Sequence, residues 1–380
     1  MNILFLSAAT GGGHIKAAQA LMQQMERQRP DCGTALVDSL KFISPLLDSL
    51  VTGTYLRTIR TIPGMYGWFY DLSENDELIT DLVKSFNRLL SRKLFRLLES
   101  YKPDAVVCVH TIPLQMLSCL KEKGLLNIPV IGIVTDYTHH TFWKLDGVDA
   151  FVVAHEHIKK NMVAMGIRED RVYACGIPVT ERFLSKIDRR LVLEGMGLEL
   201  KPTILLMGGS LGFGGLEPAF SSLLKLTRDI QIVAVTGRNN KLQARLQSLA
   251  QNARGKIRIL GYSDKINELM DACDLLVTKP GGITVSEALV KRLPLLITSP
   301  IPGQEERNAR FLVESGAAVR LEPHRNIEIV LENIISRPGV LKKMSDAAGK
   351  LATPHASEDI AGLVEELVLK KSTAFCINQS

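Results

Sequence analysis

Short apolar runs rich in β-branched residues alternate with longer stretches of helical periodicity along nearly the whole chain. Continuous apolar strands separated by helices are typical of parallel sheets that helices cover on both faces. Six runs lie in each half of the chain, and each set matches one doubly wound α/β domain in size. The strand candidates are NILFLS, TALVDS, DAVVCVH, VIGIVTD, AFVVA and VYACG, then TILLMG, IQIVAVTG, IRILGY, LLVTK, LPLLIT and AAVRL.

The break between the two sets lies near CGIPVTERFLSKIDRR, where Pro178 follows the last strand of the first half. We therefore predict one Rossmann-like domain over residues 1–182, a second over 183–350, and a C-terminal helix and tail over 351–380. The 380 residues, 46% of them hydrophobic, are enough for two cores. Ligands of open α/β sheets bind at the carboxyl ends of the strands, so we expect a cleft where these ends of both sheets face each other.

Composition and local sequence indicate the cellular compartment in which we expect the protein. No run approaches the ~18 uninterrupted apolar residues of a membrane span. The start, MNILFLSAATGGGH, lacks the basic region and cleavage site of a signal peptide. The six cysteines show no CxxC pair or zinc-type spacing, which fits reduced thiols. We expect a cytoplasmic protein, and a net charge of +6 does not by itself argue for a nucleic-acid partner.

Glycine clusters follow four of the strand candidates: TGGGH, GGSLGFGG, KPGG and PGQEE. Glycine lets backbone N–H groups approach a ligand closely, and helix N-termini attract phosphate. None of the clusters is a Walker P-loop, and the first is not a GxGxxG fingerprint with a ribose-binding acid, which disfavours a dehydrogenase. A tight turn would explain any single cluster equally well. Four clusters at successive sheet edges favour a phosphate-bearing ligand.

Five segments together resemble a known family of enzymes: GGGH, VTDYTHHTFW, GGSLGFGG, LGYSDKINELMDACDLLVTKPGGITVSEAL and PIPGQEERNARF. The family is that of the diglyceride glycosyltransferases, the monogalactosyldiacylglycerol synthases and the bacterial processive diacylglycerol glucosyltransferases. These enzymes are similar to the one that adds N-acetylglucosamine to the lipid-linked peptidoglycan precursor. The resemblance runs from about residue 2 to residue 350, and TKPGG and PGQE are specific to the group. It implies a GT-B fold, with an N-terminal acceptor domain and a C-terminal domain that binds a UDP-sugar.

For the second domain, the resemblance implies the residues of a UDP-sugar site. Glu287 matches the acid that binds the ribose, although an acid near a helix start can also complement the helix dipole. Gln304 and Glu305 match the pair that reads the hexose hydroxyls, and Gly261 with Tyr262 matches the site of the uracil edge. The other donor-site candidates are Ser210, Gly281, Gly282 and Thr284 for the diphosphate, Gly13 and Gly209 in the glycine loops, and Asn308 as support for its helix start.

For the first domain, the resemblance makes His14 the catalytic base. An imidazole with an ordinary pKa near 6.5 can take a proton from an alcohol at neutral pH. A diglyceride 3-hydroxyl would then attack the sugar with inversion, and UDP would leave towards the N–H groups of the second domain. Asp136 either orients His14 or the acceptor, or caps the end of its strand. His140 and Trp143 match acceptor-side positions, and His110 is interpreted as the partner of a loop carbonyl.

The resemblance implies no required metal or other cofactor, and the DxD motif of metal-dependent glycosyltransferases is missing. The family's acceptor lies in a membrane, which implies peripheral attachment to the inner face of the cell membrane. Lys84, Arg88, Arg92 and Arg96 recur every four residues and would form one stripe of a helix. Such a basic amphipathic helix can lie on an anionic surface. A surface helix whose apolar face packs on the protein core shows the same pattern.

Three other functions remain open at this point. N-acetylglucosaminyl transfer to a polyprenyl-linked precursor would use the same fold, but the related enzymes usually carry two glutamines where this chain has Gln304 and Glu305. A UDP-sugar epimerase would also use two Rossmann-like domains, without any acceptor. A UDP-sugar sensor would keep the second-domain site without turnover. The sequence leaves open glucose against galactose, the number of sugars added and the oligomeric state.

Overall fold

The computed structural model describes most of the chain as two compact units, one of residues 1–181 with those from 353 onward, and one of residues 182–352. Three of the predicted site residues, Ser210, Lys84 and Arg88, lie outside the described residues. The described ranges are 1–8, 12–46, 49, 53, 90–209, 212, 215–226, 229–251, 253, 255–322 and 326–377, without the side chains of 338 and 374–377.

The first unit is built on a six-stranded parallel sheet with the strand order β2-β1-β3-β4-β5-β6. Its strands are β1 (Asn2–Ser7), β2 (Gly33–Asp38), β3 (Ala105–Cys108), β4 (Val130–Ile133), β5 (Ala150–Val152) and β6 (Val172–Tyr173). Its helices, in chain order, are α1 (Gly12–Gln28), α2 (Ser39–Ile43), α3 (residues 90–101), α4 (Thr111–Glu122) and α5 (Glu156–Ala164).

The second unit repeats this plan with the strand order β12-β11-β10-β7-β8-β9. Its strands are β7 (Thr203–Met207), β8 (Gln231–Val235), β9 (Ile257–Leu260), β10 (Leu275–Thr278), β11 (Leu295–Ile297) and β12 (Ala318–Arg320). Its helices are α6 (Arg189–Gly195), α7 (Leu216–Leu223), α8 (Asn240–Ala250), α9 (Ile266–Ala272), α10 (Gly282–Val290), α11 (Gln304–Glu314), α12 (Ile327–Ile335) and α13 (Pro338–Leu351).

The last helix, α14 (Ala356–Ile377), belongs to the first unit and packs on α1. Ile360 and Val364 of α14 are fully buried, and Glu365 forms an ion pair with Arg29 at 2.8 Å. Burial of this apolar face, rather than the exposed ion pair, supplies most of the stabilisation. The chain from residue 353 onward is therefore part of the first unit, whereas the sequence interpretation treats 351–380 as a separate segment.

The twelve strand predictions are confirmed, and with them the doubly wound α/β class. The central strands are buried along their whole length, which explains why they read as continuous apolar runs. Phe5 and Phe151 fill the first core, and Phe220 fills the second. Within the described residues, no helix combines the length and the apolar character needed to cross a membrane.

The strand order of each sheet reverses at one point, and such a switch point is where open α/β sheets generally bind their ligands. The reversal lies between β1 and β3 in the first sheet and between β7 and β10 in the second. At such a point the connections leave on opposite faces, and a crevice opens at the carboxyl ends of the strands. His14 and His110 follow β1 and β3, while Gly209 and Gly281 follow β7 and β10. Predicted site residues of each unit therefore lie at its own switch point.

Candidate active site

His14 is the third residue of α1 and lies half-buried at the switch point of the first sheet. Its Nδ1 atom is 2.9 Å from the Oγ1 atom of Thr135, a residue that follows β4. The hydroxyl can donate to Nδ1 of the neutral imidazole or accept from a protonated Nδ1. Thr135 is not among the site residues predicted from the sequence, although it stands directly before Asp136.

Opposing effects set the pKa of His14. Burial lowers it, whereas the negative charge of Asp136 and a hydrogen bond to the backbone of Val109 raise it. Burial prevails, so the pKa of His14 lies below its usual value of 6.5. The imidazole is therefore neutral at neutral pH and keeps a lone pair that can accept a proton. Asp136 is close enough for its charge to act on the ring.

His110 contacts His14 edge-on: the ring centroids are 5.0 Å apart and the ring planes meet at 74°. Its Nδ1 atom accepts the backbone N–H of Ile112 at 3.2 Å and so caps the start of α4. Among the described residues the ring nitrogen accepts a backbone N–H, whereas the sequence interpretation made His110 the partner of a loop carbonyl. A histidine is an uncommon N-cap, and only its spacing before the helix signals the role.

The two predicted acceptor-side residues, His140 and Trp143, are buried within the first unit, at 4% and 8% exposure. His140 Nδ1 accepts the backbone N–H of Phe142 at 3.1 Å and caps the short 3-10 helix that ends at Trp143. The Trp143 indole packs into the core, 3.4 Å from where a Cβ on Gly132 would lie. Both residues therefore have structural contacts, and contact with an acceptor stays a prediction for them.

Two of the four residues of the predicted basic stripe, Arg92 and Arg96, are among the described residues and lie on α3. Arg92 and Arg96 are exposed, while Leu94 and Leu98 on the same helix are buried in the core of the first unit. Lys93 donates to the carbonyl of Ile43 at 2.9 Å. The apolar face of α3 is thus packed inside the protein, and its basic side chains Arg92 and Arg96 are on the surface.

At the switch point of the second sheet, Lys279 follows β10 and pairs with Glu305 in the first turn of α11. The Nζ atom of Lys279 is 2.6 Å from Oε1 of Glu305, and Oε2 accepts the backbone N–H of Ile301 at 2.9 Å. The two side chains are 22% and 7% exposed. A Cβ on Gly209 would lie 3.8 Å from Cε of Lys279, so the glycine backbone runs beside the lysine.

Lys279 is absent from the residues predicted from the sequence, although it stands in the TKPGG motif. The available signal was a lysine placed directly after a buried strand and before two glycines. Lys279 stands out only through its ion pair with Glu305, and this contact is not readable from sequence because Glu305 lies 26 residues away in the chain.

The start of α10 provides a second anion-attracting element at this switch point. Gly281 is its N-cap, without a side-chain cap, and no acidic residue lies in its first turn. The first N–H groups of such a helix point outward and favour a phosphate. Gly282 is buried and Thr284 is half-buried in this turn. A Cβ on Gly281 would lie 3.9 Å from Oε1 of Glu305, so the turn and the ion pair are neighbours.

Glu287 is the sixth residue of α10 and is 5% exposed. The helix starts at Gly282 as predicted, and this position places the carboxylate beyond the first turn. Complementing the helix dipole is an effect of the first turn, so it does not account for this acid. A buried carboxylate at this place needs hydrogen-bond donors around it.

The PGQE turn and the KPGG turn form one connected structure. Gly303 has φ 93° and ψ −120°, a backbone conformation that favours glycine, and it places Gln304 and Glu305 at the start of α11. Asn308, fully buried one turn later, donates from Nδ2 to the carbonyl of Pro280 at 3.0 Å. Asn308 thus ties α11 to the turn before α10.

The predicted uracil site, Gly261 and Tyr262, follows the edge strand β9. Tyr262 is 55% exposed, and the guanidinium carbon of Arg238 lies 5.2 Å from the centroid of its ring. A Cβ on Gly261 would approach Oε1 of Gln243 to 3.0 Å, so the backbone there passes close to α8. Exposed aromatic and guanidinium planes of this kind suit contact with a base. Arg238 is a further residue that the sequence pattern did not indicate.

Gly13, the remaining glycine of the prediction, is the second residue of α1 and lies directly before His14. Within the described residues, no group of three or more His, Cys, Asp or Glu side chains is arranged to hold a metal ion.

Comparison with known proteins shows which families the two halves of the chain match. Residues 14–179 match the model of monogalactosyldiacylglycerol (MGDG) synthase, and residues 203–360 match that of the glycosyltransferase family 28 C-terminal domain. A processive diacylglycerol beta-glucosyltransferase from Bacillus cereus is 29% identical over 366 residues, which cover 96% of this chain and 93% of the relative.

Solved structures show the same fold. MurG from Acinetobacter baumannii has a TM-score of 0.65 at 18% identity and covers 96% of this chain and 99% of its own. A UDP-GlcNAc 2-epimerase from Neisseria meningitidis, bound to UDP-GlcNAc, has a TM-score of 0.59 at 16% identity, with 97% and 100% covered. The predicted GT-B fold is thereby confirmed, and at these identities the likeness extends to the fold alone.

Proposed function

The chain belongs to the MGDG synthase family of glycosyltransferases, and from this premise we propose that it attaches glucose to diacylglycerol. The donor is UDP-glucose, the acceptor is the 3-hydroxyl, and the anomeric carbon inverts. The observation that carries the proposal is His14, a half-buried imidazole kept neutral at a sheet switch point, where it can accept a hydroxyl proton. A glucosyltransferase that uses diacylglycerol matches 96% of the chain, which supports this acceptor.

The proposed reaction begins with the acceptor in the first unit. His14 takes the proton of the 3-hydroxyl while the oxygen attacks C1 of the glucose. The bond between C1 and the β-phosphate oxygen breaks, and UDP leaves with the electron pair. The proton stays on the imidazole, and the charge of Asp136 stabilises the imidazolium that forms.

In the second unit, we assign the diphosphate to Lys279 and the N-terminus of α10. Both supply positive potential where negative charge accumulates on the leaving UDP. Glu287 accepts hydrogen bonds from the ribose diol, and Gln304 and Glu305 face the hexose hydroxyls. Support comes from the burial of Glu287 and Glu305 beside this helix start. Gly261 and Tyr262 receive the uracil.

We further propose that the transfer needs no metal ion, because Lys279 and the helix N-terminus perform the charge stabilisation that a metal would supply. EDTA should leave the rate unchanged. A rate that falls with EDTA and returns with Mg²⁺ would contradict this part of the proposal.

The protein is proposed to act as a peripheral protein at the inner face of the cell membrane, where diacylglycerol lies. Arg92 and Arg96 are exposed on α3 and are the described side chains best suited to an anionic surface.

One assay separates the candidate functions. The protein is incubated with UDP-glucose and diacylglycerol in mixed micelles, with release of UDP and formation of glycolipid measured together. Glucosyl diacylglycerol is expected, and the number of glucose units in the product tells whether transfer is repeated. Product from UDP-galactose alone would change the proposed donor. Product only with UDP-GlcNAc and a polyprenyl-linked acceptor, interconversion of free UDP-sugars, or binding without turnover would each overturn the proposal.

A further inference from the structure

We propose that His110 is a positioning residue for His14: its ring holds the imidazole in place and keeps water from one side of it. The inference rests on the proposed function, in which His14 must be a neutral proton acceptor. His110 itself does not exchange a proton with substrate in this scheme. It acts through the environment that it gives to His14.

The sheet brings the two rings together. β1 and β3 are adjacent parallel strands in which Leu6 pairs with Cys108, and Val109 donates to Leu6 at 3.1 Å. The residues that follow these two strand ends therefore share the switch point. The rings meet edge-on with centroids 5.0 Å apart, a geometry in which one ring covers part of the other.

The orientation of His110 is fixed from its other side. Its Nδ1 atom accepts the N–H of Ile112, while its backbone is extended at φ −147° and ψ 147°, as an N-cap requires. Because Nδ1 is an acceptor, the neutral ring carries its proton on Nε2. Burial and the neighbouring His14 lower the pKa of His110 to about 3, so the cap persists at any working pH.

His14 meets different influences from each element packed around it. Asp136, after β4, favours the charged imidazolium, as does the backbone of Val109 after β3. Thr135 contacts Nδ1 through its hydroxyl. Burial outweighs the charge of Asp136, and the ring of His110 is part of that burial. Removing the ring admits water, so His14 should hold a proton to higher pH and lose base function near neutrality.

Two substitutions distinguish the effect of the His110 ring from the effect of its N-cap hydrogen bond. His110→Asn removes the ring but keeps a good N-cap acceptor, whereas His110→Phe keeps a ring but loses the acceptor. His155 offers a matched control, because its Nδ1 accepts the N–H of His157 at 3.2 Å and caps α5 after β5. His155→Asn makes the same change at a cap two strands farther along the sheet from β3.

The expected results for His110→Asn are an acid limb of kcat about one pH unit higher and therefore a kcat at pH 7 about two- to threefold lower, with KM and melting temperature near wild type. His110→Phe should restore the acid limb while melting about 2–4 °C lower, because the cap is lost. His155→Asn should keep the wild-type pH profile. A wild-type pH profile for His110→Asn, or an equal shift in His155→Asn, would reduce His110 to a structural cap.

A measurement without substrates keeps this test separate from the proposed function. Full-length protein labelled with ¹³C at the histidine Cε1 positions is titrated by NMR, with the His14 signal assigned from His14→Ala. The titration midpoint of His14 should be higher in His110→Asn than in wild type and in His110→Phe. An unchanged midpoint overturns the inference even if glucosyl transfer is found. A raised midpoint in a protein without glucosyl transfer refutes the proposed function and leaves the inference standing.

Discussion

A single imidazole, that of His14, performs the proton transfer in the proposed reaction, and its reactivity depends on its neighbours. Thr135 contacts Nδ1, Asp136 supplies charge, and His110 covers the ring. The residue type and its place directly after a run of glycines could be predicted from sequence. Thr135 could not, because 121 residues separate it from His14 and only the sheet brings them together.

Replacing His14 by alanine should lower turnover by about 10²- to 10⁴-fold, the usual size of a general-base effect. UDP affinity, measured by calorimetry, should change little, because the proposed UDP site lies in the second unit. Near-normal turnover would refute the assignment of His14 as base.

The pH profile gives a second test of the same residue. The pKa of His14 lies below 6.5, and only the neutral ring accepts a proton, so kcat should fall with a midpoint below pH 6.5. Asp136 raises this pKa, and Asp136→Asn should therefore move the midpoint to still lower pH. A midpoint that moves upward in Asp136→Asn would contradict this account of the charge.

Lys279 is the cation of the proposed donor site. Lys279→Met should raise the KM for UDP-glucose about tenfold or more. The change removes the positive charge that is proposed to contact the diphosphate, and it leaves buried Glu305 without its ion-pair partner. The acid limb of kcat should stay in place, since that limb belongs to His14. Lys279→Arg, which keeps the charge, is the matched variant, and equal KM values in all three proteins would exclude a role for Lys279 in donor binding.

Among the elements, helices of the second unit differ in how their first turns are capped. α7, α10 and α11 begin after Gly215, Gly281 and Gly303 without a side-chain cap, whereas α8 and α12 are capped by Asn239 and Asn326. A side-chain cap occupies one N–H group of the first turn, whereas a glycine N-cap leaves that group open to a ligand. The glycines could be located from sequence because such turns have a local signature. The way Asn308 joins α11 to the turn before α10 has no local signature.

Asn308→Leu should disturb the donor site indirectly, even if Asn308 does not contact the donor itself. The change removes the hydrogen bond to the Pro280 carbonyl inside the protein, at a cost of about 1–3 kcal/mol in the free energy of unfolding. It also loosens Gln304 and Glu305 relative to α10. We expect a higher KM for UDP-glucose and weaker discrimination against UDP-galactose in initial-rate assays.

The control for this change is Asn333→Leu in the same unit, because exposed Asn333 donates to Ile329 within its own helix at 2.9 Å. Asn333→Leu should leave both KM and donor discrimination at wild-type values. If Asn308→Leu behaves like this control, the link between the two turns does not shape the donor site.

For the whole molecule, the alternation of strands and helices was enough to predict both sheets, because buried parallel strands must be apolar throughout. Strand order and the return of α14 to the first unit were not readable, since both depend on contacts distant in sequence. The same holds for the apolar face of α3, which amphipathicity alone cannot assign to a core or to a membrane.

The basic side chains of α3 are the basis of the last prediction, which concerns the protein and a bilayer. Arg92→Glu with Arg96→Glu should weaken co-sedimentation with anionic vesicles, by about 1 kcal/mol for each charge lost, and more so at low salt. Replacing Lys342 and Lys343, exposed on α13, by glutamate is the matched control. Activity on vesicle-bound diacylglycerol should fall, while activity on a soluble short-chain diacylglycerol should persist. Equal vesicle binding by both double variants would remove α3 from membrane attachment, because its apolar face is already buried in the core.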